Sequence, residues 1–527
     1  MNQAVVHSLA MLYNRTGEQK FLDLAQEVVA DFSTPGAGDY LQAGLNEVEF
    51  FKTPKPRWES LHPIMGLAEL YWITGDKQYR TAFENLWWSI VKTDRHNNGG
   101  FSSGEQAQGN PYHQGAIETC CTIAWMAMSV EMLRLTGNPI VADELELSTY
   151  NQAIGGFSPT GRWSTYNTPM LGRRIPSTQD IAFQIRPGSE ELNCCSVNAA
   201  RGLGLLSEWA LMCDRDGLVL NWYGPATLET NFEGTPIVLQ QSGDYPRDGV
   251  VQLAVNPEKP AEFELKLRIP HWSRSTKVFV NETQQTAEPG TYLRLKRLWK
   301  KGDQVVVHLD MSPRYWVGER ESAGKSSIYR GPILLVAEGP QSTPPKFEGA
   351  WNAYGPARSA LAKGAKVAYE FVGDQVEWRG ALFDDAGKAR VLIDSKEQDV
   401  VDQYGPQRGT PFVWKKTNLG PGPHTLVIEV LGEKSDESSG TWINISKVVV
   451  PIEWPKLSVD SVASGKVLDG GATALIRYAI NDATQAVELR DFATAGFDAS
   501  YNSWLDVEGV TASEFSKQNP SRTVLPK

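Results

Sequence analysis

Three copies of one short phrase constrain the first 200 or so residues of this chain: Leu12-Tyr13-Asn14-Arg15-Thr16-Gly17, Leu70-Tyr71-Trp72-Ile73-Thr74-Gly75 and Leu133-Arg134-Leu135-Thr136-Gly137. Their glycines stand 58 and 62 residues apart. Each phrase closes an amphipathic helical pattern, as with Ile64, Leu67, Ala68 and Tyr71 on one face, and the glycine supplies a left-handed stop. A second helical pattern follows each copy, so three helical hairpins in series are predicted. Hairpins of this length bury their apolar faces only against neighbours, which points to an α/α toroid or solenoid. A closed toroid of six hairpins needs more helices than residues 1–217 hold, and the first copy begins almost at Met1. The expectation is therefore a partial (α/α) barrel, truncated at its N-terminus.

Beyond about Gly217 the apolar pattern becomes alternating. Phe263, Leu265, Leu267 and Ile269 fall on one face of a strand, with Glu262, Glu264, Lys266 and Arg268 on the other. Tyr292–Lys296 and Val305–Leu309 read likewise, and residues 218–340 are predicted to form a β-sandwich. A Pro/Gly-rich break from Gly339-Pro340 to Pro345 leads to a second strand-rich block at 355–452, containing Val376-Glu377-Trp378 and Thr441-Trp442-Ile443-Asn444-Ile445. Its size and aromatic strands suit either a carbohydrate-binding sandwich or a purely structural accessory domain. The tail, 455–527, is expected to add strands near Thr473–Ala479 and Asn502–Val507 that pack on the first sandwich. The predicted class is thus multidomain α plus β.

A formal net charge of −11 argues against nucleic acid or an anionic membrane surface as partner, because phosphate binding needs a basic face. A neutral, polyhydroxylated ligand fits better, and 17 Trp and 17 Tyr residues can supply stacking surfaces, although most aromatics in a large protein are core. No run of about 18 uncharged apolar residues is present, and the N-terminus lacks a signal-peptide pattern, which favours the cytoplasm. Oligomeric state is not legible.

Of five cysteines, four lie in two adjacent pairs, Cys120-Cys121 and Cys194-Cys195. That is not a secreted disulfide framework, in which an even set is spread along the chain. With Glu118, the pairs supply the thiolate and carboxylate ligands that zinc prefers, drawn from two segments. Three thiolates and one carboxylate would give a Zn²⁺ site a net charge of about −2. On a regular helix Glu118 and Cys121 share a face while Glu118 and Cys120 do not, so Cys120 can be the ligand only if the helix starts irregularly there. The breaker-rich Gly109–Gly115 makes that plausible, and it leaves Cys120 and Cys121 as alternatives. Cys194 and Cys195 follow Asn193 and fit a helix N-terminus, where backbone N–H groups favour thiolates. Glu105, in the loop-like Gly99–Gln106, is a candidate proton donor. A glycosidase that retains configuration needs such an acid/base carboxyl close to its nucleophile. His62, His96 and His113 are weaker candidates for orienting substrate, and Trp87, Trp88 and Trp163 for a stacking wall.

Gly104-Glu105, Glu118-Thr119-Cys120 and Cys194-Cys195, with Asn198 and Arg201 following, resemble the zinc-cysteine β-L-arabinofuranosidases, glycoside hydrolase family 127 and its close relatives. Asp244-Tyr245-Pro246, Leu267-Arg268-Ile269-Pro270-His271-Trp272 and Tyr329-Arg330-Gly331-Pro332 resemble the sandwich signatures of that family. The likeness covers roughly residues 1–338 and returns near Ala474–Leu505, so the block between looks inserted. It implies a zinc ion held by Glu118, Cys120, Cys194 and Cys195, with Cys194 the nucleophile and Glu105 the acid/base, acting on an oligosaccharide or glycoconjugate. The loop from Glu105 to Glu118 is shorter than in the family, and Cys121 is an extra thiol beside a ligand position. A competing reading is a non-catalytic carbohydrate-binding protein with a structural zinc, and a third is a redox protein using Cys194-Cys195.

Overall fold

The recurring Thr-Gly phrase earns its place through hydrogen bonds at the end of a helix. In a computed structural model that describes residues 3–102, 104–113, 115, 117–176, 193–354, 357–471, 474–481 and 486–513, the three copies terminate α1 (Val5–Thr16), α4 (Trp58–Thr74) and α6 (Thr119–Thr136). Gly17, Gly75 and Gly137 take φ of 71°, 73° and 58°, and each donates its N–H to a carbonyl four residues back at 2.8 Å. The threonine hydroxyls bond back to Leu12, Leu70 and Met132 carbonyls at 2.7–2.8 Å. The same hydroxyls accept the N–H of Glu18, Asp76 and Asn138 at 3.2 Å. Each hydroxyl thereby ties one helix end to the start of the next, α2 (Gln19–Ala30), α5 (Lys77–Thr93) and α7 (Pro139–Ser148).

The predicted hairpins are thus α1–α2, α4–α5 and α6–α7, with a short α3 (Tyr40–Leu45) packed on α5. α1, α4, α6 and α8 (Cys194–Gly204) pack as successive neighbours, followed by a single turn, α9 (Leu206–Trp209). α1 and α4 approach closely: a Cβ on Gly66 would stand 2.6 Å from Val6 Cγ1. α6 is almost wholly buried, with Arg134 near its end exposed, as expected of a helix covered on most of its surface. Trp87 and Trp88 belong to this core, Trp87 stacked on Trp125 at 5.1 Å, and form no sugar-facing wall. Among the described residues no helix is long and apolar enough to cross a membrane.

The first sandwich pairs a six-stranded sheet, built from strands between Ala226 and His308, with a four-stranded sheet of Leu211–Cys213, Gly217–Leu220, Ala261–Ile269 and Thr291–Trp299. Leu265 faces Leu295 and Leu267 faces Leu293 across that second sheet. The opposite face differs from expectation, because Arg268 is completely buried. Its guanidinium meets Asp143 and, at 2.7 Å, Glu146, both from α7. Tyr245 donates to Glu146 at 2.7 Å and Tyr329 to the Asn97 carbonyl at 2.6 Å. The sandwich signatures therefore clamp the strands onto the helices.

Two expected boundaries move. Residues 314–341 leave the first sandwich: Arg314–Val317, Ser326–Arg330 and Ile333–Gln341 form an eight-stranded sheet with four tail strands and with Leu171–Gly172 from the helical part. The tail expected at 455–527 accordingly extends this third sheet, through Lys466–Leu468, Arg477–Asn481, Ala486–Asp491 and Ala499–Asn502. Thr473 and residues 514–527 lie outside the described residues. The block expected at 355–452 starts earlier, since Lys346–Glu348 pairs with Lys366–Val372, and it has its own core around Trp378, Val391 and Ile428. Strand partners this distant in sequence leave no mark on local pattern, which is why the alternation located the strands and not their sheets.

Candidate active site

Glu118 and Cys120 reach one point because the chain changes conformation between them. Glu118 is the extended N-cap residue of α6, with φ −71° and ψ 130°, in a two-residue strand, Ile117–Glu118, paired with Asn167–Thr168. Thr119 fastens the junction, its N–H bonding the Tyr166 carbonyl at 2.9 Å and its hydroxyl that of Thr165 at 2.8 Å. Helical geometry begins only after the carboxylate has been aimed. Cys120 turns toward the second pair, whereas Cys121 is fully buried in the apolar core with its Sγ 3.1 Å from Glu118 Oε2.

The second pair opens α8. Asn193 caps it by accepting from Ser196 N–H at 3.0 Å, and α8 packs on α6. Cys120 Sγ lies 3.1 Å from Cys195 Sγ and 3.7 Å from Cys194 Sγ. The ligand atoms of Glu118, Cys120, Cys194 and Cys195 all fall within 4.8 Å of one another. Four ligands around one Zn²⁺ at about 2.3 Å would be roughly 3.8 Å apart, so the cluster has the right size. Two further observations suit a cation. Glu118 Oε1 is buried without a hydrogen-bond partner among the described residues, and three sulfurs with one carboxylate form a donor set typical of zinc. Asn198, one turn along from Cys194, donates its amide to Cys120 Sγ at 3.2 Å.

Crowding distributes charge unevenly. Burial pushes the Glu118 carboxyl up to about 8. Hydrogen bonding to Cys194 raises Cys120, and burial raises Cys195. Hydrogen bonds from Cys120 and Cys195 bring Cys194 down to about 3, so it is the thiolate of the group. It is also the most exposed of the cluster's three thiols, half-buried where the other two are buried.

Beside Cys194 stands the predicted acid. Gly104, at φ 66°, bridges to Ile117 and so brings Glu105 next to the strand that carries Glu118. Tyr166 donates to Glu105 Oε1 at 2.8 Å, and Arg57 Nη1 lies 3.2 Å from Oε2. Tyr166 also lies close enough to Cys194 to favour its thiolate, so this phenol adjoins both groups. Burial and the surrounding negative groups keep Tyr166 itself a neutral donor. Trp58 packs against the thiol cluster, and His62 stacks edge-on to it at 5.5 Å. Burial and Arg201 hold His62 neutral, at about 4. His96 is buried, His113 accepts from the Gly115 N–H at 3.0 Å within its own turn, and Trp163 meets Phe497. The structure brings none of these three to the cluster.

Arg57 and Tyr166 were missed in the sequence. Neither carries a local signal, since both are set beside Glu105 by non-adjacent segments. Asn198, noted only for its resemblance, was accessible from its i+4 spacing to Cys194.

The family model for the catalytic domain of the GH127 β-L-arabinofuranosidases matches residues 2–208, and that for their middle domain matches 217–311, together more than half of the chain. The chain belongs to glycoside hydrolase family 127. This family member is 25% identical over 378 residues to the non-reducing end β-L-arabinofuranosidase of Bifidobacterium longum, spanning 63% of its own length and 56% of that relative's. Its fold is similar to that of a GH127 β-L-arabinofuranosidase from Geobacillus stearothermophilus T6, with a TM-score of 0.57 at 18% identity, over 96% of this chain and 72% of the other. A second solved glycoside hydrolase gives a TM-score of 0.59 at 19% identity, over 95% and 74% of the two chains.

Proposed function

We propose that the protein is a retaining glycoside hydrolase acting on an L-arabinofuranoside or a related glycosidic linkage. The observation that carries this reading is the pairing of a half-exposed thiolate, Cys194, with a carboxyl, Glu105, through Tyr166. In the first step the Cys194 sulfur attacks the anomeric carbon and the bond to the leaving oxygen breaks as Glu105 delivers a proton to it. In the second, Glu105 takes a proton from water, the water oxygen bonds to the same carbon, and the carbon–sulfur bond breaks. Two inversions return the original configuration.

Glu118, Cys120, Cys194 and Cys195 would hold a zinc ion, whose positive charge, when bound, keeps the thiols deprotonated. Asn198 fixes the Cys120 sulfur, while Arg57 and Tyr166 hold the Glu105 carboxyl in place. Membership of the family and the B. longum relative's β-L-arabinofuranosidase name support the choice of sugar.

Two variants test the proposal with aryl glycosides and metal analysis. Cys194→Ser should abolish turnover while keeping the fold, and Cys195→Ser should lose metal as well. Normal hydrolysis by Cys194→Ser would remove the nucleophile from the proposal. Glycan binding without product from the unmodified chain would instead favour a carbohydrate-binding protein.

A further inference from the structure

The module from Lys346 to Val450 contributes nothing to the thiol cluster, yet one of its outer faces is shaped as a site. Ala360, Ile443 and Ile445 turn inward to the module's own core. Strand alternation therefore turns Ser359, Asn444 and Ser446 outward, and Ala381 joins them from the neighbouring strand. These side chains are small, and the face they leave is a trough of about 470 Å³. Its floor is fixed in advance: Asn444 donates to the Ala381 carbonyl at 2.6 Å and accepts from the Ala381 N–H at 2.8 Å. Gly380 permits this, since a Cβ there would stand 2.7 Å from Asn444 Oδ1.

Phe383 and Trp442 form part of the trough wall. Their loops are laced together, with Trp442 N–H bonding the Asp385 carbonyl at 3.2 Å and Gly387 N–H bonding that of Trp442 at 2.9 Å. At the rim the Arg408 guanidinium lies over the Phe383 ring, 5.1 Å from its centroid, and pairs with Asp384 and, at 3.2 Å, with Asp385. The Arg408 side chain is 55% exposed. One cation and two carboxylates leave this rim negative, which disfavours an anionic ligand. They also place donors and acceptors side by side next to two aromatic rings. Adjacent hydroxyls and the apolar face of a neutral sugar match that combination.

We propose that this trough is a second carbohydrate site, non-catalytic and separate from the thiol cluster, that holds uncharged sugar residues of a polysaccharide. The full-length chain would be run on native gels containing arabinan, arabinogalactan, arabinoxylan or, as the acidic control, polygalacturonate. At least one neutral polysaccharide should retard the protein and polygalacturonate should not. Trp442→Ala and Arg408→Ala should each weaken that retention by about tenfold or more, with aryl-glycoside hydrolysis and the thermal midpoint unchanged. Arg408 is exposed, so its variant reads the site even where Trp442→Ala disturbs folding. Absence of retardation by every neutral polysaccharide would overturn the proposal, as would equal retention by both variants or preferential retention by polygalacturonate.

Discussion

Zinc binding to the metal-free protein should displace protons in a number that reveals which ligands carry them. At pH 7 Glu118, held at about 8 by burial, is mostly protonated, and so are Cys120 and Cys195, while Cys194 at about 3 is a thiolate. Coordination needs all four deprotonated, so about three protons leave, and affinity should rise by about a thousandfold from pH 6 to pH 7. Ordinary thiol and carboxyl values also give about three, with all three protons on sulfur. Substitution separates the two assignments. Glu118→Gln removes a proton carrier here, and release should fall to about two; with ordinary values it would stay near three. Cys194→Ser removes a ligand that carries no proton, so release should stay near three rather than fall. The count comes from isothermal titration calorimetry of zinc into the metal-stripped chain, in buffers of different ionisation enthalpy. An unchanged count for Glu118→Gln with a drop for Cys194→Ser would refute the charge distribution. The linkage has a second consequence. Glu118, held above the ordinary 4.5, by itself makes the metal-free fold lose stability as pH rises from about 4.5 to 8, while Cys194, held down at about 3, acts in the opposite sense over the same range, so the two contributions offset. With zinc bound none of the four ligands would carry a proton, so stability should rise with pH across this range.

Two further outcomes follow from named contacts. Tyr166→Phe removes one hydrogen bond to the Glu105 carboxyl and keeps the ring; since Glu105 is partly solvated, kcat/KM should fall by roughly tenfold with metal content unchanged, and an unaffected kcat/KM would remove Tyr166 from the site. Arg268→Met would strand buried Asp143 and Glu146 between helices and sandwich, costing about 3–5 kcal/mol and lowering the thermal midpoint by about 3–5 °C; an unchanged midpoint would mean that this clamp is not needed to hold the two layers together.

Much of the helical part was legible because its signals are local. A threonine hydroxyl and a left-handed glycine end a helix using only residues within one turn, so three Thr-Gly phrases located three hairpins. Adjacent cysteines likewise marked candidate ligands, and Cys194 and Cys195 do open a helix. The doubt between Cys120 and Cys121 depended on one backbone angle at Glu118, which is fixed by pairing with Asn167, about fifty residues away. Arg268 misled for a related reason. Alternation marks a polar side chain as outward-facing, and only a layer from elsewhere in the chain makes that side an interior.

The sequence by itself determined where helices stop and where strands alternate, because each of these is settled by interactions within a few residues. Tertiary structure alone decided that Glu118, Cys120, Cys194 and Cys195 meet, that Tyr166 and Arg57 adjoin Glu105, and that the strands after Met311 leave their sandwich to pair with the tail. Those outcomes depend on contacts between segments tens to hundreds of residues apart, whose geometry is set by packing and sheet pairing rather than by local pattern.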